Sequence, residues 1–205
     1  MNIMNQDRWQ ALMNRLQFDA NKQTFDELDK AYTQPHRRYH TTEHISAMLR
    51  HVDRVNDLLE QPSLVELAIW FHDAIYAPFS STNEADSAVW AVKFLNDNGA
   101  LANDADVVSD LIMATLHNSK VSNNDQALLV DIDLSILGTE PNVYQQFEKD
   151  IRFEYKRVPY FLYKKKRKEI LKGFLDRTSV YQTAFFIDQY EVRARNNMKR
   201  ALQQL

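Results

Sequence analysis

The chain has 205 residues, 44% apolar and 26% charged, with a net charge of −3, enough for one large soluble domain and without the basic excess that nucleic acid or an anionic membrane would require. It contains no cysteine, which excludes disulfides, thiolate metal sites and cysteine nucleophiles. Only 3 glycines and 5 prolines leave little material for hairpins, phosphate-cradling glycine loops or flexible linkers, and point to helices.

In chain order, residues 6–18 place Trp9, Leu12, Met13 and Leu16 on one helical face. Polar residues interrupt every apolar run there, so no signal peptide is expected. A second helix is expected over 24–33, ended by Pro35, and a long one from a Thr41 or Thr42 cap to about Glu60. "PSLVELAIWFHDAIY" (62–76) starts with Ser63 and Glu66 at capping-box spacing and is apolar nearly all round, as befits a central helix. From 81, Ser81 and Glu84 repeat that spacing, and Gly99 suits the position after the helix end. Further helices are expected over 104–117 and 124–137, the second stopped by Gly138, then after Pro141 and Pro159 in first-turn positions, and finally to the C-terminus. The expectation is a single all-α domain over 1–205 with about nine helices. No segment reaches the roughly 18 to 20 apolar residues that span a bilayer, and a cytoplasmic location is expected.

Chemistry concentrates in three histidine and aspartate clusters. His40 and His44, one turn apart, share a helical face, while His51, two turns beyond His44, is too far along the helix to join them. His72 and Asp73 adjoin near the end of the most apolar helix, where an uncompensated carboxylate would be costly and a cation would offset it. "LLVDIDLSILG" supplies Asp131 and Asp133, about 200° apart on a helix and so not both directed at one ion. Imidazole and carboxylate on rigid elements are the donors a borderline divalent metal takes.

The ordered set "RRYHTTEHI" (37–45), "FHDAIY" (71–76), "NEADSA" (83–88), "DIDLSILG" (131–138), "FLDRTSVY" (174–181) and "YEVRAR" (190–195) resembles the HD superfamily of metal-dependent phosphohydrolases. More closely, it resembles the bacterial family of predicted HD-type phosphohydrolases of similar length. The resemblance implies a multi-helix HD bundle holding one divalent ion through His44, His72, Asp73 and Asp133. His40 also fits the first ligand position, and Asp131 is the alternative to Asp133, otherwise a neighbouring support or cap. Mn, Fe, Co, Ni or Zn suits such donors better than Mg. Asp73 would act at the metal, with Glu84 as base unless it serves only its capping box. A small phosphorylated substrate would be held by Arg37, Arg38, His40, His117 and Arg167, with Lys165 a further candidate. His117 equally suits a helix end, and "KKKRK" (164–168) a solvated helix face.

The implied activity is hydrolysis of a small phosphate ester or nucleotide by metal-activated water, with no nucleic acid polymer or membrane as partner and a homodimer allowed. The alternatives are a non-catalytic HD domain that senses a nucleotide and, lower, an alarmone hydrolase. That last branch carries an acidic pair after HD, where this chain reads "HDAIYAP".

Overall fold

The computed structural model describes residues 2–117 and 121–205, in which there are ten α-helices, two short 3-10 helices and no strand. None of the helices among these residues is long and apolar enough to cross a membrane. The chain groups into two compact units, Met1–Leu129 and Val130–Leu205.

In the first unit, α1 (Gln6–Leu16) starts at Asn5, whose side chain accepts the amide of Arg8 at 2.9 Å, and ends at Gln17 in the left-handed region. It is followed by α2 (Lys22–Tyr32) and α3 (Thr42–Val55). The long third helix therefore stops at Val55, and a 3-10 turn over Asn56–Leu58 replaces its expected last turn. Thr41 stands at the N-cap of α3 without a side-chain capping bond.

Every residue from Leu64 to Phe71 of α4 (Pro62–Phe71) is buried. It packs against α1, α3, α5 (Asn83–Asp97) and α6 (Ala102–Ala114). This is the central helix its all-round apolar sequence requires. Trp70 meets Trp9 edge-on at 5.2 Å, and Phe71 meets Phe94 at 5.4 Å. Tyr32 closes the polar account at the helix end, its hydroxyl donating to the carbonyl of Trp70 at 3.0 Å.

Two expected capping boxes are absent. At α4 the N-cap Gln61 makes no side-chain capping bond, and the segment leading into the helix is held from far along the chain: the carboxylate of Asp125 accepts the amides of Glu60 and Gln61, each at 2.8 Å. Glu66 is buried and ion-paired with Arg8 at 2.9 Å and Arg15 at 2.7 Å. At α5 the N-cap is Thr82, not Ser81, so Glu84 is the second helical residue. The helix start is fixed by its buried side chains: Asn83 exchanges two hydrogen bonds with the backbone of Ala77, both at 3.0 Å, and Ser87 binds the backbone of Ile75. Gly99, at φ 72°, closes the end of α5 as its sequence position suggests. Helix α6 is shorter than expected, giving way at Thr115, whose hydroxyl donates to Ile112.

The boundary between the units falls inside α7 (Asn124–Asp133), after which the chain tightens to a 3-10 helix over Leu134–Gly138. In the second unit α8 (Pro141–Glu154), α9 (Tyr160–Leu175) and α10 (Ala184–Gln204) complete the chain, with Pro141 at the first turn of α8 and Pro159 at the N-cap of α9. The α-helix expected to 137 ends early because its carbonyls find partners elsewhere. Tyr181 donates to Leu134 at 3.2 Å, and Asn197 to Leu137 and Thr139, each at 2.9 Å. Gly138 is required by space: a Cβ there would stand 2.7 Å from that of Tyr190 and 2.9 Å from the hydroxyl oxygen of Tyr181.

The two C-terminal motifs meet each other. Glu191 accepts the amides of Val180 and Tyr181 and the hydroxyl of Ser179, while Arg195 donates to the carbonyls of Leu175, Arg177 and Thr178. A charged pair thus holds the whole turn before α10 in one conformation. Burial pushes the Glu191 carboxyl up, but the amides it accepts and Arg195 prevail and leave it below its ordinary value.

Candidate metal centre

Helix α3 presents His44 on its buried face, and the end of α4 presents His72, which is almost fully buried. Their Nε2 atoms stand 3.3 Å apart. Two nitrogens each about 2.1 Å from one ion would lie about 3.0 to 3.4 Å apart, depending on coordination geometry. His72 Nδ1 is 2.9 Å from the carbonyl oxygen of Ile69, which fixes the ring with Nδ1 protonated and leaves the Nε2 lone pair aimed at His44. Two chemical states satisfy that pair: a proton shared between the rings, or a cation between two neutral imidazoles.

Asp73 gathers the imidazoles. Its Oδ2 lies 3.1 Å from Nε2 of His72, 3.8 Å from that of His44 and 3.9 Å from that of His40. Burial pushes this carboxyl up, but His72, His40 and His44 together outweigh it and hold Asp73 well below the usual carboxylate range. The site thus keeps an anion where a cation would be bound.

Asp133 stands at the last position of α7. It belongs to the second unit, whereas His44, His72 and Asp73 belong to the first. Asp131, two residues earlier, is spent differently. Its carboxylate accepts the amides of Gln182 and Thr183 and the hydroxyl of Thr183, all at 2.7 Å, at the N-cap of α10. Burial pushes it up to about 6 against those bonds.

The remaining expected site residues divide by what they touch. Arg37 is buried, donating to the carbonyls of Asp73 at 2.6 Å, Ala74 at 2.9 Å and His40 at 3.3 Å, beneath the rings of Tyr32 and Tyr76. It holds the backbone of the His72–Asp73 segment. Arg38 is exposed, and His40 lies against Tyr76 with ring centres 4.3 Å apart. Glu84 is half-buried in the first turn of α5, with no ion pair or hydrogen bond among the described residues. His117 follows α6 with φ 56°, in the left-handed region. Arg167 belongs to the second unit, where it grips Glu148 with two bonds of 2.7 and 3.0 Å, and Lys165 is exposed on the same helix.

Sequence reading missed the supports. Tyr39 and Tyr76 flank the histidines, with Tyr39 4.8 Å from the His44 ring. Asn83 and Ser87 pin the loop after Asp73. The signal for the second pair was present in "NEADSA", but periodicity alone assigns such residues to a helix start. No family model, curated protein or solved structure matches this chain.

Proposed function

We propose that the chain is a divalent-metal-dependent phosphohydrolase of the HD type, acting on a small phosphate ester or nucleotide. The observation that carries this reading is the pair of buried imidazole Nε2 atoms 3.3 Å apart with an Asp73 oxygen 3.1 Å from one of them. His44, His72, Asp73 and Asp133 would hold the ion, with Mn, Fe, Co, Ni or Zn fitting these donors better than Mg. The bound ion would supply Lewis acidity toward a phosphoryl oxygen and lower the pKa of a water.

The chain's own side chains do the rest. His72 is held to one tautomer by Ile69, so its donor nitrogen needs no rearrangement. Arg37 fixes the peptide that carries Asp73. Glu84 would accept the proton of the attacking water, a task open to it because its carboxylate is engaged with no other described group. His40 and the exposed Arg38 would steady the phosphate, Arg38 through a fork that matches two oxygens. The absence of cysteine suits a cytoplasmic protein.

The test is a purified chain assayed for metal content and for hydrolysis of a panel of phosphate esters with Mn, Co, Ni and Mg. About one ion per chain is expected, and Asp73→Ala is expected to lose both ion and turnover. Turnover retained in that variant rejects the reading. Metal and substrate binding without turnover in the parent protein identifies a sensor instead.

A further inference from the structure

The second unit carries fifteen lysines and arginines against ten acidic residues, within a chain whose net charge is −3. Part of that excess surrounds a cavity of about 440 Å3 formed by α8, α9 and the end of α10, and lined in part by Tyr144, Lys149, Arg152, Tyr160, Tyr163 and Arg200. Sites for small organic ligands typically fall between about 300 and 1,000 Å3.

The charge in this cavity is unbalanced. Glu148 also lines it, but its carboxylate is taken by the two bonds from Arg167 and by the hydroxyl of Tyr144 at 2.5 Å. Lys149, Arg152 and Arg200 have no carboxylate within ion-pair distance among the described residues, whereas Arg193, elsewhere on α10, pairs with Glu140. Three cations facing one space favour an anion there.

The aromatic lining adds a second preference. Arg152 is anchored through Nη1 to the carbonyls of Tyr155 at 2.7 Å and Val158 at 3.1 Å. Its guanidinium lies over the rings of Tyr163 at 4.8 Å and Tyr160 at 5.7 Å. Tyr160 is 55% exposed, which leaves its ring open to an incoming aromatic group. A flat guanidinium beside the exposed Tyr160 ring is a surface on which an aromatic ring stacks, and the neighbouring cations suit a phosphate.

We propose that this cavity binds a nucleotide-sized phosphate carrying an aromatic ring, using residues separate from the histidine and aspartate cluster. The proposal does not depend on the metal reading. The ring would lie against Tyr160 beside the Arg152 guanidinium, and Lys149, Arg152 and Arg200 would take the phosphate.

The experiment is calorimetric titration of the full-length chain, stripped of metal and kept in EDTA, with AMP, adenosine and inorganic phosphate as probes. One AMP per chain is expected, with adenosine and phosphate each held at least tenfold more weakly. Lys149→Glu and Arg200→Glu change exposed side chains and so preserve the fold, which circular dichroism verifies; each is expected to weaken AMP at least tenfold. Asp73→Ala is expected to leave AMP affinity unchanged, separating this site from the cluster. The proposal is overturned if AMP shows no saturable binding, if it is held no more tightly than phosphate, or if both charge reversals leave its affinity within twofold.

Discussion

Arg37 donates to the main-chain oxygen of Asp73 at 2.6 Å, reaching from the segment before α3 to the end of α4 while remaining 4% exposed. A planar guanidinium can serve the neighbouring carbonyls of His40 and Ala74 at the same time, and an ammonium cannot reproduce that fork. Arg37→Lys is therefore expected to cost about 2 to 3 kcal/mol in urea unfolding, since buried carbonyls lose their partners. It should also weaken metal binding by about tenfold, the scale on which groups supporting a ligand act. A variant as stable as the parent would reject this role.

If His44 and His72 share an ion, the metal stabilises only the folded chain, because the unfolded one does not hold the rings 3.3 Å apart. At a free metal concentration 100 times Kd the gain is about 2.7 kcal/mol. Thermal unfolding with Mn or Co is expected to shift upward by several degrees and to return on addition of EDTA. His44→Ala should show neither response. Equal shifts in parent and variant would mean that the metal binds elsewhere.

The helices and the cluster were legible in the sequence to different depths. The central position of α4 follows from apolar residues on every side, and the meeting of His44 with His72 is an expectation that the resemblance of the ordered motifs implies. What stayed hidden depends on contacts between residues distant in sequence. Ser63 and Glu66 have the spacing of a capping box, yet the segment before the helix is held by Asp125, 65 residues beyond Glu60, and Glu66 turns inward to two arginines. Gly138 reads as a helix stop, while its necessity lies in the approach of Tyr190. Arg37 and Arg167 are phosphate ligands in the reading that the resemblance implies; only packing reveals that their forks are already engaged.

His51 lies on α3 beyond the cluster, where burial first, then Arg54 and Arg50, lower its pKa from 6.5 to about 4. A folded-state value below the unfolded one means that the unfolded chain binds the proton more readily. The contribution to stability is thus present above about pH 6.5 and is lost as pH falls through the interval down to about 4. His51→Gln removes the titration. Urea unfolding at pH 7.5 and 4.5 is expected to show a smaller acid loss in the variant than in the parent, and an identical loss would count against a half-buried neutral imidazole.

Glu66 is the acid at the centre of the first unit's main ion-pair network. It is 4% exposed and takes Arg8 through Nε at 2.9 Å and Arg15 at 2.7 Å, while Arg8 also grips Asp53 with two bonds of 2.8 Å. Removing one partner of a buried pair costs about 3 to 5 kcal/mol. Arg15 is 47% exposed and Asp53 55%, so water screens part of the network and the expected loss is nearer 2 kcal/mol. Glu66→Gln keeps the shape and one acceptor, which isolates the charge. The loss should change little between low and high salt, because the carboxylate is sealed from solvent, whereas Lys93→Ala at the exposed pair with Asp97 should cost well under 1 kcal/mol and vanish in salt. A Glu66→Gln loss that disappears in 1 M salt would show that the pair behaves as a surface contact.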